Sequence, residues 1–473
     1  EVIPACSRAI LDEAHQLEDV ATQYFGHSVS NHRLEELARD AERLASRAIG
    51  DRKDKDDVER VVERLRDTAR GFFTDLAFAH RAASASGRPE PVDGRGGGRG
   101  RGEERVRATA GSLADAHDAA SLLIGALDLF ESTFALLTTV RLKPDISADG
   151  GHSSGSAPLQ PDRDRDEDRP EDFAVLVTRA AALRDELRFL MRGSDQGYVY
   201  FVEFRGRGIF LRASPIDVSA IIHDVLLDRM RTTVLTSATL TVDGSFDYLR
   251  ARLGIRGADE IRLASEFDFS RQAILYLPTR MPDPRSDHFA VAASREVIEI
   301  LKRTRGRAFV LFTSYATLRS VQALAEMALD YPIFAQGTAP RSQLLNQFRA
   351  TPNAVLFATS SFWQGVDVVG EALSCVIVDK LPFASPADPI TAARIDAIRA
   401  RGGDPFGEYQ VPLAILTLKQ GLGRLIRHRR DRGVLAVLDP RLRTKGYGRR
   451  FVASLPPAPI VHDLSQVGAF FSA

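Results

Sequence analysis

Residues 420–442 read QGLGRLIRHRRDRGVLAVLDPRL. Gln420, Gly423, Arg424 and Arg427 recur at i, i+3, i+4 and i+7, the spacing of one helix face. That spacing predicts a helix from Val411 to Ile426 that carries two arginines one turn apart. A guanidinium is planar, always charged and shaped to grip phosphate oxygens. Gly433 and the apolar run Val434–Leu438 follow, a buried-strand pattern that ends in Asp439. Alone, the same residues also describe a solvated amphipathic helix, so the remainder of the chain has to decide between the two.

The chain has 473 residues, room for about three domains. Basic and acidic residues number 63 each, so overall charge makes no case for nucleic acid. Only seven of the basic residues are lysine, an arginine bias that a GC-rich genome would produce. Two distant cysteines, Cys6 and Cys375, exclude a disulfide framework and a four-cysteine metal site, and suit a reducing compartment. No apolar run approaches about 18 residues, so no transmembrane helix and no membrane partner are expected. No basic, apolar signal peptide stands at the start. The first residue is Glu1 rather than Met, and the expectation is a cytoplasmic chain whose front lies elsewhere.

Apolar residues Ala9–Leu11 run into Asp12-Glu13-Ala14-His15. A strand ending in adjacent carboxylates is the Walker B arrangement. There the Asp holds hydrated Mg²⁺ on nucleotide phosphates and the Glu positions or deprotonates the attacking water. A helix N-cap followed by a first-turn Glu is the bland alternative. A zinc site on His15 and Glu13 lacks a partner at the required spacing. From about His27 to Leu142 apolar stripes at helical spacing imply three or four packed helices. Two low-complexity segments, 84–107 and 147–172, lack residues for a core and are expected to be flexible loops. Phe173–Arg192 reads as a helix, and Tyr198–Phe204 with Gly208–Leu211 as a hairpin. Next, TTVLTSATL at 232–240 gives a short buried strand that ends in Ser237-Ala238-Thr239.

From Ala273 onward short apolar strands alternate with helices, the pattern of a mostly parallel, doubly wound sheet. Ligands of such sheets bind at the carboxyl ends of strands. Polar groups cluster at those ends, as Thr313-Ser314-Tyr315 and across Thr359–Asp367. In the second cluster Gly365 would let backbone approach a phosphate or sugar. Asp367 would accept from a ribose or hold an arginine. Trp363, the only Trp, reads either as a core residue or as a stacking platform for a base.

Taken together, DEAH at 12–15, TSATL at 236–240, LFTSY at 311–315, SFWQGVDVVG at 361–370 and QGLGRLIR at 420–427 resemble motifs II, III, IV, V and VI of the DinG/XPD-type superfamily-2 ATP-dependent DNA helicases. The resemblance spans about 1–27 and 195–460, and KLPFASPADP and DPRLRTKGYGRRFVASLP extend it. It implies an α/β fold of two RecA-like domains, the first incomplete, with ATP between them. Residues 1–27 and 195–268 would belong to the first domain and 269–473 to the second. Residues 28–194 would form a helical, arch-like insertion, placed by position alone. Asp12 and Glu13 would serve Mg²⁺ and water activation beside His15. Gly365, Asp367, Gln420 and Gly423 would face the nucleotide, with Arg424 and Arg427 on its phosphates. Ser237 and Thr239 would couple that site to DNA. Ser314, Tyr315, Thr359, Ser360 and Trp363 would hold a single strand. The family precedent is 5′ to 3′ translocation and unwinding of forked duplexes, here expected of a nucleoid-associated monomer.

Two departures stand out. No G-x-x-x-x-G-K-[ST] loop occurs anywhere, so these residues supply no Walker A lysine. In the resembled family that loop precedes motif II, as does a four-cysteine iron–sulfur cluster. The expectation is therefore the portion of a helicase from motif II onward, unable to hydrolyse ATP by itself. A non-catalytic single-strand-binding or scaffold protein built from partial helicase halves is the second reading, and a helicase with an upstream nuclease the third. A G-K-[ST] loop in the upstream reading frame would separate the first two.

Overall fold

The structure, a computed structural model, describes residues 6–86, 104–141, 170–359, 362, 368 and 370–472. The chain starts with β1 (Arg8–Leu11) and α1 (Leu17–Tyr24). It continues through β2 (His27–Ser30), α2 (Asn31–Ala48), α3 (Arg52–Ser86), β3 (Glu104–Arg107), α4 (Ala110–Ala114), α5 (His117–Arg141), α6 (Pro170–Arg192), β4 (Tyr198–Arg205) and β5 (Gly208–Pro215). Then come α7 (Ser219–Ile222), β6 (Thr232–Leu235), α8 (Asp247–Leu253), α9 (Phe269–Gln272), β7 (Ala273–Tyr276), α10 (Phe289–Thr304), β8 (Ala308–Phe312), α11 (Tyr315–Ala328) and β9 (Ile333–Ala335). The last part holds α12 (Arg341–Ala350), β10 (Val355–Thr359), β11 (Cys375–Val378), α13 (Pro389–Ala400), α14 (Val411–Leu422), β12 (Gly433–Val437), α15 (Arg441–Thr444), α16 (Gly448–Ser454), β13 (Ile460–Val461) and α17 (Leu464–Ser472).

Two compact units result. One comprises Glu1–Ala21, Asp217–Ser385 and Arg394–Ala473; the other comprises Thr22–Ile216 and Pro386–Ala393. In the first unit β1 pairs with β6 in parallel, Arg8 opposite Thr232 through Leu11 opposite Leu235. Its larger sheet is all parallel, in the order β13-β7-β12-β11-β8-β10-β9. β8, β10, β11 and β12 are buried along their whole length. A strand covered on both faces has no polar side to alternate with, which is why AFVLF and CVIV read as unbroken apolar runs. Gly433 is needed where β12 begins, because a Cβ there would stand 2.7 Å from the Ser374 carbonyl oxygen.

The second unit is built on four long helices and an antiparallel sheet in the order β2-β5-β4-β3. Ser30 caps α2 by accepting from the Arg33 N–H. Behind the cap, Leu34, Leu37, Ala38, Ala41 and Ala45 bury one helical stripe. α5 and α6 contribute Leu123, Leu127, Phe130, Phe134, Phe173, Leu176 and Leu183 to the same core. The Phe130 and Phe134 rings stack at 4.4 Å. Truncating either to Ala would cost about 3–5 kcal/mol.

Three expectations need correction here. Residues 28–194 are not purely helical, since β2 and β3 sandwich the hairpin β4–β5, and that hairpin shares its sheet with them. Glu104–Arg107, expected in a flexible loop, forms β3. There Val106 pairs with Val202, while Arg105 reaches the buried Glu203 at 3.4 Å and Asp388 at 3.2 Å. Those partners are distant in sequence, so local composition could not signal them. Likewise 170–172 open α6; residues 87–103 and 147–169 lie outside the described residues. Finally, His117–Thr138 is a helix long and apolar enough to cross a membrane by length and composition. Isolated acids such as Asp128 and Glu131 hid it from a search for unbroken apolar runs. One of its stripes lies in the core, while Leu122, Leu129 and Leu136 are exposed.

Candidate nucleotide site

The parallel register of β1 and β6 sets Leu11 beside Leu235, so two polar turns leave the same sheet edge side by side. The backbone laces them together. Thr236 N–H donates to the Leu11 carbonyl at 2.9 Å, and Ala14 N–H to the Thr236 carbonyl at 3.0 Å. Side chains finish the join. Thr236 Oγ1 donates to Asp12 Oδ1 at 2.7 Å, and Ser237 Oγ to Glu13 Oε2 at 3.0 Å. His15 Nδ1 lies 2.9 Å from Ser237 Oγ, 3.2 Å from Glu13 Oε2 and 3.3 Å from Thr239 Oγ1. The DEAH turn and the SAT turn, over 200 residues apart in sequence, are therefore one hydrogen-bonded cluster.

Its electrostatics divide the work. The Thr236 hydroxyl, then the Glu13 backbone, hold the exposed Asp12 carboxyl below the ordinary Asp value, so Asp12 is ionised and open to solvent. Glu13 has a left-handed backbone, φ 51° and ψ 39°, which is costly for a residue with a Cβ and clusters at functional turns. His15 is nearly buried. Burial lowers its pKa most, Glu13 opposes that, and the positive charge of Arg424 lowers it further. With the Ser237 proton on Glu13, a neutral His15 offers Nδ1–H to Ser237, and its buried Nε2 has no hydrogen-bond partner among the described residues.

The arginine-bearing stretch departs from its expected form. α14 ends at Leu422, so of the four residues only Gln420 is on the helix. Gly423 and Arg424 turn, and Arg427 sits in a loop. Three contacts stop the helix. Leu425 and Ile426 turn inward and are buried. Asp431 Oδ2 accepts from the backbone N–H groups of Arg427 and His428, each at 2.8 Å. Gln272 Nε2, buried at the end of α9 just before β7, donates to the His428 and Asp431 carbonyls at 2.9 and 3.0 Å. The loop precedes Gly433, hence it occupies the amino edge of the large sheet. The carboxyl-edge rule does not describe it. What brings Arg424 to DEAH is the apposition of that loop to the small sheet, and Lys419 Nζ donates to the Thr241 carbonyl at 2.9 Å just beyond TSATL.

Of the residues expected to hold a strand, Ser314, Tyr315 and Thr359 lie at the opposite, carboxyl edge of the large sheet. Thr359 is level with Phe312, which places it beside Thr313-Ser314-Tyr315. Ser314 caps α11, accepting from the Thr317 N–H at 3.2 Å. Tyr315 is exposed, whereas Thr359 is buried and donates through its N–H and Oγ1 to Gln336 Oε1 at 2.7 and 2.9 Å. Ser360, Trp363, Gly365 and Asp367 lie outside the described residues. Sequence reasoning missed Asp379 on this edge. Its buried carboxylate accepts from the Thr313 N–H at 2.9 Å and the Lys380 N–H at 2.6 Å, and burial pushes its pKa up to about 7. Asp439 is buried beside it, bound by Arg441 and by the Leu381 N–H at 2.9 Å. Both end apolar strands, VIVD and VLD, which is the signal that could have found them.

Comparison with known proteins bears on the family. A helicase C-terminal domain model matches residues 297–458. The ATP-dependent DNA helicase YoaA of Escherichia coli is 34% identical over 475 residues, covering 100% of this chain and 66% of that protein. The ATP-dependent helicase DinG of Mycobacterium tuberculosis H37Ra is 40% identical over 266 residues, 55% of this chain and 40% of that one. A solved XPD helicase shares the fold at 12% identity and a TM-score of 0.51, with 96% of this chain and 68% of that chain covered. The chain thus spans about two thirds or less of the relatives it matches. The ordered motifs, the matched domain and the relatedness along the whole length make this chain a member of the YoaA and DinG family of helicases.

Proposed function

We propose that the full-length protein is an ATP-dependent DNA helicase that translocates 5′ to 3′ on a single strand and unwinds forked duplexes in the cytoplasm. The observation that carries this reading is the junction of the DEAH and SAT turns, with the charge of Arg424 reaching His15. An exposed, ionised carboxylate such as Asp12 is an oxygen ligand of the type Mg²⁺ takes, and leaves room for its waters. Asp12 would hold that ion, which supplies charge neutralisation on the nucleotide phosphates. Glu13, aimed by Ser237 and His15, orients the attacking water. Arg424 and Arg427 neutralise charge that grows on the transferring phosphoryl group, which lowers the barrier more than it tightens ground-state binding. Gln420 and Gly423 line the nucleotide with Gly365 and Asp367. Ser237 touches the Glu13 carboxylate and the His15 imidazole, and Thr239 touches the imidazole, so a change at the nucleotide shifts the turn that leads to the strand. Ser314, Tyr315 and Thr359, at the other sheet edge, would contact DNA together with Ser360 and Trp363. No iron–sulfur cluster is assigned to these residues.

ATP turnover of the full-length protein, with and without single-stranded DNA, tests this. Arg424→Ala and Arg427→Ala are each expected to lower kcat by about a thousandfold or more while single-strand binding persists. Equal loss of both activities would make the arginines part of the fold or of the DNA site. Unwinding of 5′-tailed but not 3′-tailed duplexes is expected. Residues 1–473, without a G-K-[ST] loop, should release no phosphate above an Asp12→Asn control.

A further inference from the structure

A knot of largely buried charges in the nucleotide-site unit is not used by the reaction as described. Glu18, on α1 three residues past His15, is only 9% exposed. Its Oε1 accepts from Arg252 Nη2 of α8, and from Arg394 Nη1 of α13 at 2.9 Å. The Tyr409 ring lies 5.3 Å from the Arg252 guanidinium and 6.0 Å from that of Arg394. Tyr409 OH accepts from Arg394 Nη1 at 3.5 Å. Tyr248 closes the knot, and its buried hydroxyl and Arg252 Nε have no hydrogen-bond partner among the described residues. One carboxylate thus faces two guanidiniums away from water.

Such an arrangement is a poor way to gain stability. Desolvation of buried ions offsets most of their attraction, and apolar side chains of similar volume do as well or better. What it does supply is geometric register, because a carboxylate with two fixed guanidiniums accepts few arrangements. The elements that meet here give that register meaning. α1 continues from the DEAH turn and α8 follows the SAT turn. α13 leads through the π-helical turn Phe406–Gln410 into α14, which ends at the loop carrying Arg424 and Arg427. Gly254, at φ +67°, packs so closely on the Ser219 carbonyl that a Cβ would stand 2.2 Å away, which fixes α8 to α7.

We propose that Glu18 is a positioning residue that acts through Arg394 to register the arginine-bearing loop against the DEAH turn. The proposal rests on the reading of ATP hydrolysis given above. It assigns Arg252 a different part, to hold Glu18 within the DEAH-side segment.

Two substitutions in the full-length protein separate these parts. Arg394→Gln and Arg252→Gln each leave Glu18 with one guanidinium and change the net charge equally, but only Arg394→Gln cuts the tie to α13. For Arg394→Gln, kcat of DNA-stimulated ATP hydrolysis is expected to fall about tenfold or more while KM for ATP stays within about twofold, the signature of lost transition-state alignment. Arg252→Gln should keep kcat within about threefold, and Arg394→Lys should recover most of the loss. Arg394→Met, apolar and of similar volume, replaces Arg394→Gln if that variant does not fold. Equal kcat in the two Gln variants at matched melting temperatures, or wild-type kcat in Arg394→Gln, overturns the proposal. Absence of ATP turnover in the wild type overturns instead the function on which it rests, and this proposal with it.

Discussion

Asp12 and Asp379 occupy the same topological place, the first residue past a short parallel strand, yet they are opposite in character. Asp12 stands open to solvent with a pKa held below the ordinary value by Thr236. Asp379 is buried against two backbone N–H groups, and burial raises its pKa to about 7. A strand end supplies free N–H groups and a turn in both cases. What decides whether the carboxylate meets a ligand or closes the fold is what covers it. Among the described residues β1 pairs with β6 alone, whereas β11 lies inside a sheet of seven strands.

The contrast can be broken in three ways. The largest effect is expected at Asp12. Asp12→Asn in the full-length protein should lower ATP turnover roughly a thousandfold, since a metal-held charge contributes several kcal/mol, with little change in melting temperature. A large drop in melting temperature would make Asp12 structural like Asp379. The second effect reverses these roles. Between the ordinary value of 3.8 and about 7, folded protein keeps a proton on Asp379 that the unfolded chain has released. The contribution of Asp379 is therefore most favourable at low pH and declines as pH rises to about 7. Asparagine keeps the accepting oxygen without the charge. Denaturant titrations should show Asp379→Asn gaining on the wild type by on the order of 3 kcal/mol between pH 4 and 7. A gap that stays flat over that range means water reaches the carboxylate. The smallest effect is at the join itself. Ser237→Ala removes the hydroxyl that meets Glu13 and His15, and should cost about 1 kcal/mol of stability. It should also move the His15 titration, measured by NMR, from its depressed position. An unmoved His15 would show that burial and the charges of Glu13, Arg424 and Asp12 set it without the hydroxyl.

These outcomes track what local sequence can carry. Strand-end clusters were legible because an apolar run and the polar residues after it are neighbours in sequence, as at Asp12, Ser237 and Ser314. The helix through Arg427 was misread because what ends it is remote. Gln272 lies far upstream, and the inward turn of Leu425 and Ile426 depends on a core that periodicity does not describe. β3 was hidden for the same reason, since Val106 needs Val202. Asp379 and Glu18 look like any strand-end or helix-surface acid until the elements that cover them are in place.

The pairing of β2 with β5 has a consequence for how the chain folds. His27 lies opposite Ala213, so the long excursion returns to where it departed. Without it, joining β1 to β6 means closing a loop of more than 200 residues. Once the excursion has folded, only the short segments on either side must be brought together, which reduces the closure cost by about 2 kcal/mol. The insertion should therefore form early, and the nucleotide edge last. The same neighbourhood makes it a removable cassette, because a short flexible bridge from His27 to Ala213 spans the gap that its excision would leave.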